Sequence, residues 1–129
     1  MSKPVTRALV LAAAVATAAV AVPGAVAKDG NGIRVIGKCS AGVSSKLKVS
    51  AEDGGLEVEF EVDQNRNGIP WRVTLRRNGT LVAATTVKTH APSGSFSLRR
   101  VITGTAGADR IVAVAKRPSG ATCTAVATF

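Results

Sequence analysis

A chain of 129 residues with 17 Lys and Arg against 8 Asp and Glu, a formal net charge of +9, has room for one small domain and a strongly basic surface. With one His, two Cys, no Tyr and only 3% aromatic residues, it lacks the His/Cys clusters of a metalloenzyme. It also lacks the exposed aromatics that stack on nucleobases. Sequence-specific nucleic-acid recognition is excluded on the same ground.

Met1 to Ala27 reads as a secretory signal. Lys3 and Arg7 form a short basic start, Ala8 to Val22 is an apolar run, and Ala25-Val26-Ala27 is a small-x-small site, so cleavage is expected after Ala27. The run is shorter than the roughly 20 residues a membrane-spanning helix needs. The expected mature domain, residues 28–129, keeps 15 cations against all 8 acids, and its expected location is extracellular or cell-wall-associated. Cys39 and Cys123 lie near opposite ends of this domain. In an oxidising compartment, with no C-x-x-C and no second His or Cys nearby, they are expected to form one structural disulfide.

After a flexible start at 28–32, short strands are expected at Ile33–Ile36 and at Ser45–Ser50, the latter with Leu47 and Val49 facing one way and Lys46 and Lys48 the other. The stretch LEVEFEVDQNRNGIPWRVTLRR, Leu56 to Arg77, alternates apolar and charged residues on both sides of an Asn/Gly cluster. It predicts a β-hairpin in which Glu61 faces Arg72, Glu59 faces Thr74 and Glu57 faces Arg76, while Val62 meets Trp71 and Phe60 meets Val73. Asn78-Gly79 predicts a type I′ turn into Thr80–Thr89, because both central residues of that turn need positive φ. Further strands are expected at Phe96–Ile102, Arg110–Lys116 and Thr122–Phe129, the last two joined at Pro118-Ser119-Gly120. No stretch after residue 27 keeps a helical period, and turn signals recur about every ten residues. The fold class is therefore all-β: an antiparallel β-sandwich of seven to eight strands with one disulfide, with a small closed barrel as the alternative.

The segment GADRIVAVAKRPSGATCTAVATF resembles the end of bacterial immunoglobulin-like and fibronectin type III-like domains, in which a G-x-D-x-I turn, a hairpin and a final strand close the sandwich. With its GKCS opening and D-x-N-x-N-G-x-x-W stretch, the domain is similar to small secreted actinobacterial single-domain proteins of unassigned function. That resemblance implies an immunoglobulin-like sandwich. The chain departs from antibody domains in having no Tyr and in the order of its Cys and Trp residues.

Candidate sites are few. Asp63, Asn65 and Asn67, followed by Gly68, match the first half of a calcium loop, but Thr74 stands where a closing Glu is needed; a weak Ca²⁺ site competes there with a purely conformational turn, and no other cofactor is expected. His90 with Ser93 or Ser95 has no nucleophile elbow around it, so no catalytic residue is assigned. Asn78-Gly79-Thr80 matches a glycosylation acceptor, for which the turn is a sufficient explanation. The cations outnumber the acids, and the pairs Arg76, Arg77 and Arg99, Arg100 form the candidate polyanion-binding surface. The expected function is a non-catalytic extracellular or wall-associated binding or structural module that contacts a polyanion or wall polymer. The alternative is a secreted inhibitor or small-ligand carrier.

Overall fold

The computed structural model describes residues 22–129. Most of the expected signal segment therefore lies outside the described residues. Ten strands follow one another: β1 Val26–Asp29, β2 Gly32–Ile36, β3 Lys38–Cys39, β4 Ser44–Glu52, β5 Gly55–Asp63, β6 Pro70–Arg77, β7 Thr80–Lys88, β8 Ser95–Thr103, β9 Arg110–Lys116 and β10 Thr122–Thr128. They form two five-stranded antiparallel sheets, sheet A in the order β1-β2-β4-β5-β8 and sheet B in the order β3-β10-β9-β6-β7. The count exceeds seven to eight because of β1 and β3. Backbone pairing draws residues 26–29 against 32–35, where a flexible start was expected, and the two-residue β3 is too short to show a period.

Alternation of apolar and polar residues builds the core. Along β5 Leu56, Val58, Phe60 and Val62 point inward, and along β6 Trp71, Val73 and Leu75 do so, each at or below 5% exposure. Leu47 and Val49 of β4, with Phe96 and Leu98 of β8, complete the bulky side from sheet A. In sheet B the bulk of β6 and Ile111 is set beside small residues, Ala113 and Ala115 on β9 and Ala125 and Ala127 on β10, so that large and small side chains fill one core together.

The predicted hairpin from Leu56 to Arg77 does not form. β5 pairs with β4 and β8 in sheet A, whereas β6 pairs with β7 and β9 in sheet B. Residues 64–69 carry the chain across the sandwich from one sheet to the other. Both arrangements send the same apolar residues inward, which is why the alternation alone could not separate them. The crossing is held by buried polar groups. Trp71 Nε1 donates to Gln64 Oε1 at 2.9 Å, with Gln64 only 9% exposed. Thr89, buried at the end of β7, accepts from Ile69 N through its hydroxyl at 2.9 Å and donates that hydroxyl's proton to the Arg66 carbonyl. Gly94 faces this crossing with φ +69°, and a Cβ there would collide with the Arg66 backbone.

Other expectations hold. Asn78 and Gly79 have φ of 48° and 85° and join β6 to β7, with Arg77 opposite Thr80. β9 and β10 form the closing hairpin. Cys39 of β3 and Cys123 of β10 are bonded as a disulfide directly across a strand pair, closing a separation of 84 residues.

Candidate functional surfaces

Register fixes what each outer face displays. On sheet A one row runs Arg34, Lys48, Glu59, Arg99 from β2 to β8, and the next places Lys46 against Glu61 and Ser97. Glu59 thus has a cation on either flank, Lys48 and Arg99, and Glu61 has Lys46 on one, so the cations beside the β5 acids come from β4 and β8 and not from the predicted Arg72 and Arg76. Arg99 Nη2 bonds Glu57 Oε2 at 2.7 Å, and Lys46 Nζ lies 3.7 Å from Glu61 Oε1. The hydrogen bond from Arg99 holds the Glu57 carboxyl below the usual carboxylate range, and Glu57 in turn raises the Arg99 guanidinium.

Sheet B is different. Its five strands contain Lys38, Arg72, Arg76, Arg77, Lys88, Arg110 and Lys116, seven cations, and not one carboxylate; the strands of sheet A contain six of each sign. The outer face of sheet B reads in rows as Thr122, Lys116, Arg72, Thr86; then Thr124, Val114, Thr74, Ala84; then Val126, Val112, Arg76, Leu81. Arg72, Arg76, Arg110 and Lys116 are exposed, and none of them makes an ion pair among the described residues. In a hairpin reading Arg72 and Arg76 are spent on the β5 acids. The crossing to the second sheet frees both of them, which is why this surface was not legible beforehand.

The four arginines singled out from sequence do not share a face. Arg76 stands on the outer face of sheet B, with Nη1 3.4 Å from the Gly79 carbonyl. Arg77 reaches over to the Thr103 carbonyl of β8 and ties the two sheets together. Arg99 is engaged by Glu57, and Arg100 donates to the Arg99 carbonyl at 2.8 Å. Arg100 occupies an inward register position opposite Val58 yet is exposed, an inward-placed charge on an edge strand that discourages edge-to-edge pairing.

At the proposed calcium loop, Asp63 Oδ1 accepts the Asn65 backbone N–H at 2.9 Å, and Asn65 has φ 58°, so these residues make an Asx turn at the start of the crossing. Among the described residues no cluster of three or more His, Cys, Asp or Glu could hold a metal ion. His90 Nδ1 lies 3.1 Å from the Ala91 carbonyl, and Ser93 Oγ is 2.7 Å from Ser95 Oγ; neither hydroxyl is hydrogen-bonded to the imidazole. No helix among the described residues is long and apolar enough to cross a membrane.

One buried carboxylate, Asp109, escaped the sequence reading. It is 3% exposed and accepts the Thr105 hydroxyl at 2.7 Å, the Thr105 N–H at 3.1 Å and Asn78 Nδ2 at 3.2 Å, bonds that hold it below the usual carboxylate range, the Thr105 hydroxyl contributing most. Asn78 Oδ1 accepts the Arg110 N–H at 2.8 Å, so the β6–β7 turn is stitched to the start of β9. The G-A-D-R motif was the available signal for this latch.

Across one end of the sheet B face, Pro70, Arg72, Thr86, Lys116, Arg117 and Pro118 line a depression of about 260 Å³. Arg117 is half-buried, its guanidinium carbon 6.0 Å from the centroid of the Trp71 ring, and its Nε is buried with no hydrogen-bond partner.

No protein-family model matches the chain, and comparisons with curated proteins and with solved structures return no match.

Proposed function

We propose that this protein is a secreted, non-catalytic, immunoglobulin-like binding module that engages extracellular polyanions through the outer face of sheet B. The observation that carries the reading is the separation of charge between the two sheets: seven cations and no carboxylate in the strands of one, balanced signs in the other. A flat cationic face without internal counter-charges attracts an anionic polymer and releases that polymer's counterions on contact. The immunoglobulin-like assignment is supported by connectivity. β8 returns to lie beside β5 after the chain has visited β6 and β7 in the other sheet, a Greek-key connection. The apolar segment preceding Ala27 and the disulfide support export to an oxidising compartment.

The test is retention of the purified domain on immobilised heparin across a salt gradient. Arg76→Ser/Arg110→Ser should elute earlier than the parent, while Arg99→Ser, which removes a cation already engaged by Glu57, should shift elution much less. Equal shifts for the two variants, or no retention of the parent at low salt, would remove the basis for a sheet B binding face.

A further inference from the structure

Sheet B ends in a strand with an open edge, and we infer that this edge, β7 over residues 83–88, docks an extended acidic segment of another protein, which joins sheet B as a sixth strand. The inference goes beyond the polyanion reading, since it concerns the edge of the sheet and not its outer face.

The four edges of the sandwich are unequal. β1 is four residues long and carries Lys28, and β3 is two residues long. β8 has nine residues but carries Arg99 and Arg100, the latter at an inward register position, and its Arg99 and Thr103 carbonyls already accept guanidinium N–H groups from Arg100 and Arg77. Shortness and charge both keep other chains off an edge. β7 also has nine residues, yet from Thr80 to Val87 it contains no charge and no proline. Its backbone bonds β6 on one side and, among the described residues, no backbone group on the other. Val82 is a bulge in the pairing with β6, which leaves Ala83 to Lys88 in regular register with Pro70 to Leu75. Along these six residues the outward N–H and C=O groups form a template for one more strand.

The side chains along this run select the partner. Ala83, Thr85 and Val87 are half-buried and lie opposite the inward Leu75, Val73 and Trp71. Ala84, Thr86 and Lys88 are exposed on the outer face, and Arg72 stands one strand in from Thr86. Arg72 is two strand spacings, about 10 Å, from an incoming backbone, a gap that an arginine and a glutamate side chain span together over the short Thr86. Neither Arg72 nor Lys88 makes an ion pair among the described residues. The complementary strand therefore alternates acidic residues on its outer side with small apolar ones on its inner side.

Sheet A already holds a strand of that kind in such a setting. β5 displays Glu59 and Glu61 outside and Val58 and Phe60 inside, between the lysines of β4 and Arg99 of β8. A second copy of the chain is the poorer occupant. Pairing β7 with β7 brings Arg72 and Lys88 of both copies to one face, with no carboxylate in the strands of either sheet B to oppose them.

The experiment titrates the purified protein into a fluorescently labelled, end-capped Glu-Val-Glu-Val-Glu-Val-Glu peptide and follows anisotropy, with heparin retention and backbone amide exchange measured alongside. Saturable binding is expected, with amide exchange slowed in β7 and unchanged in β8. The same peptide N-methylated throughout keeps its charge but loses its main-chain donors, and should bind roughly tenfold more weakly or worse. A peptide with Lys in place of Glu should not bind.

Equal binding of the methylated peptide, or binding without protection of β7, would mean that charge alone acts and the edge is not the site. Absence of peptide binding while heparin is retained would sink the edge and leave the outer face standing. Peptide binding that protects β7 in a protein that heparin does not retain would do the reverse. A dimer in light scattering whose β7 amides are protected without peptide would overturn the foreign segment in favour of a second copy.

Discussion

Replacing Gln64 by leucine tests whether the crossing between the sheets depends on its buried amide. In the folded protein Gln64 Oε1 accepts the Trp71 indole N–H at 2.9 Å, and both residues are shielded from water. The Gln64→Leu side chain cannot accept that bond, so the indole N–H is stranded in an apolar core, at a cost of about 1–3 kcal/mol. Trp71→Phe removes the donor instead, leaves Gln64 without its partner and opens space in the core, for about 2–4 kcal/mol. In the double variant neither polar group remains to be stranded, and the combined loss should fall short of the sum by about 1–2 kcal/mol. A loss of about 2 kcal/mol in a domain of this size lowers Tm by roughly 8–16 °C. Urea unfolding followed by far-UV circular dichroism, which does not need the tryptophan, gives all four corners of the cycle. Additivity within about 0.3 kcal/mol would show that the two side chains act independently, and the clasp would then be no more than a close contact.

The disulfide and the Asp109 latch give two further expectations. Cys39→Ser/Cys123→Ser releases a bridge across 84 residues and should cost about 4 kcal/mol, measured as a lower urea midpoint, with an unchanged midpoint counting against a structural role. Because folding depresses the Asp109 pKa, the ionised carboxylate is the form that the fold favours. Its contribution is therefore complete above the unfolded-state pKa and declines as pH falls through the lower folded-state value. Asp109→Asn should flatten the fall in urea midpoint with acidification across that window, and curves of identical steepness for parent and variant would show that the depression has no thermodynamic effect.

The positions of most strands were legible in the sequence, since alternation marks β5 and β6 plainly and Asn78-Gly79 marks their neighbouring turn. Partnership was not legible. A period of two tells which way Val58 or Trp71 faces but not which strand lies alongside, and Lys46 and Lys48 offer the β5 acids the same spacing of positive charge that Arg72 and Arg76 offer in a hairpin register. The clue that went unused is Gln64. It continues the inward series of Leu56 to Val62, and a polar residue there needs a buried partner, which a tight hairpin loop does not provide. Once β6 is placed in the second sheet, the surplus of cations is no longer scattered. The strands that carry no acid turn out to lie side by side, a relation that only their order in space creates.

The covalent link between β3 and β10 also decides how this domain responds to tension. A pull applied to the two ends of the chain enters at Cys39 and leaves at Cys123, passing through one sulfur bridge and bypassing the strands between them. Some 84 residues, roughly 280–300 Å of extended chain, are thereby kept out of the line of force. Between its two ends the domain therefore transmits load without lengthening through those strands, a rigid link in an end-to-end line of force.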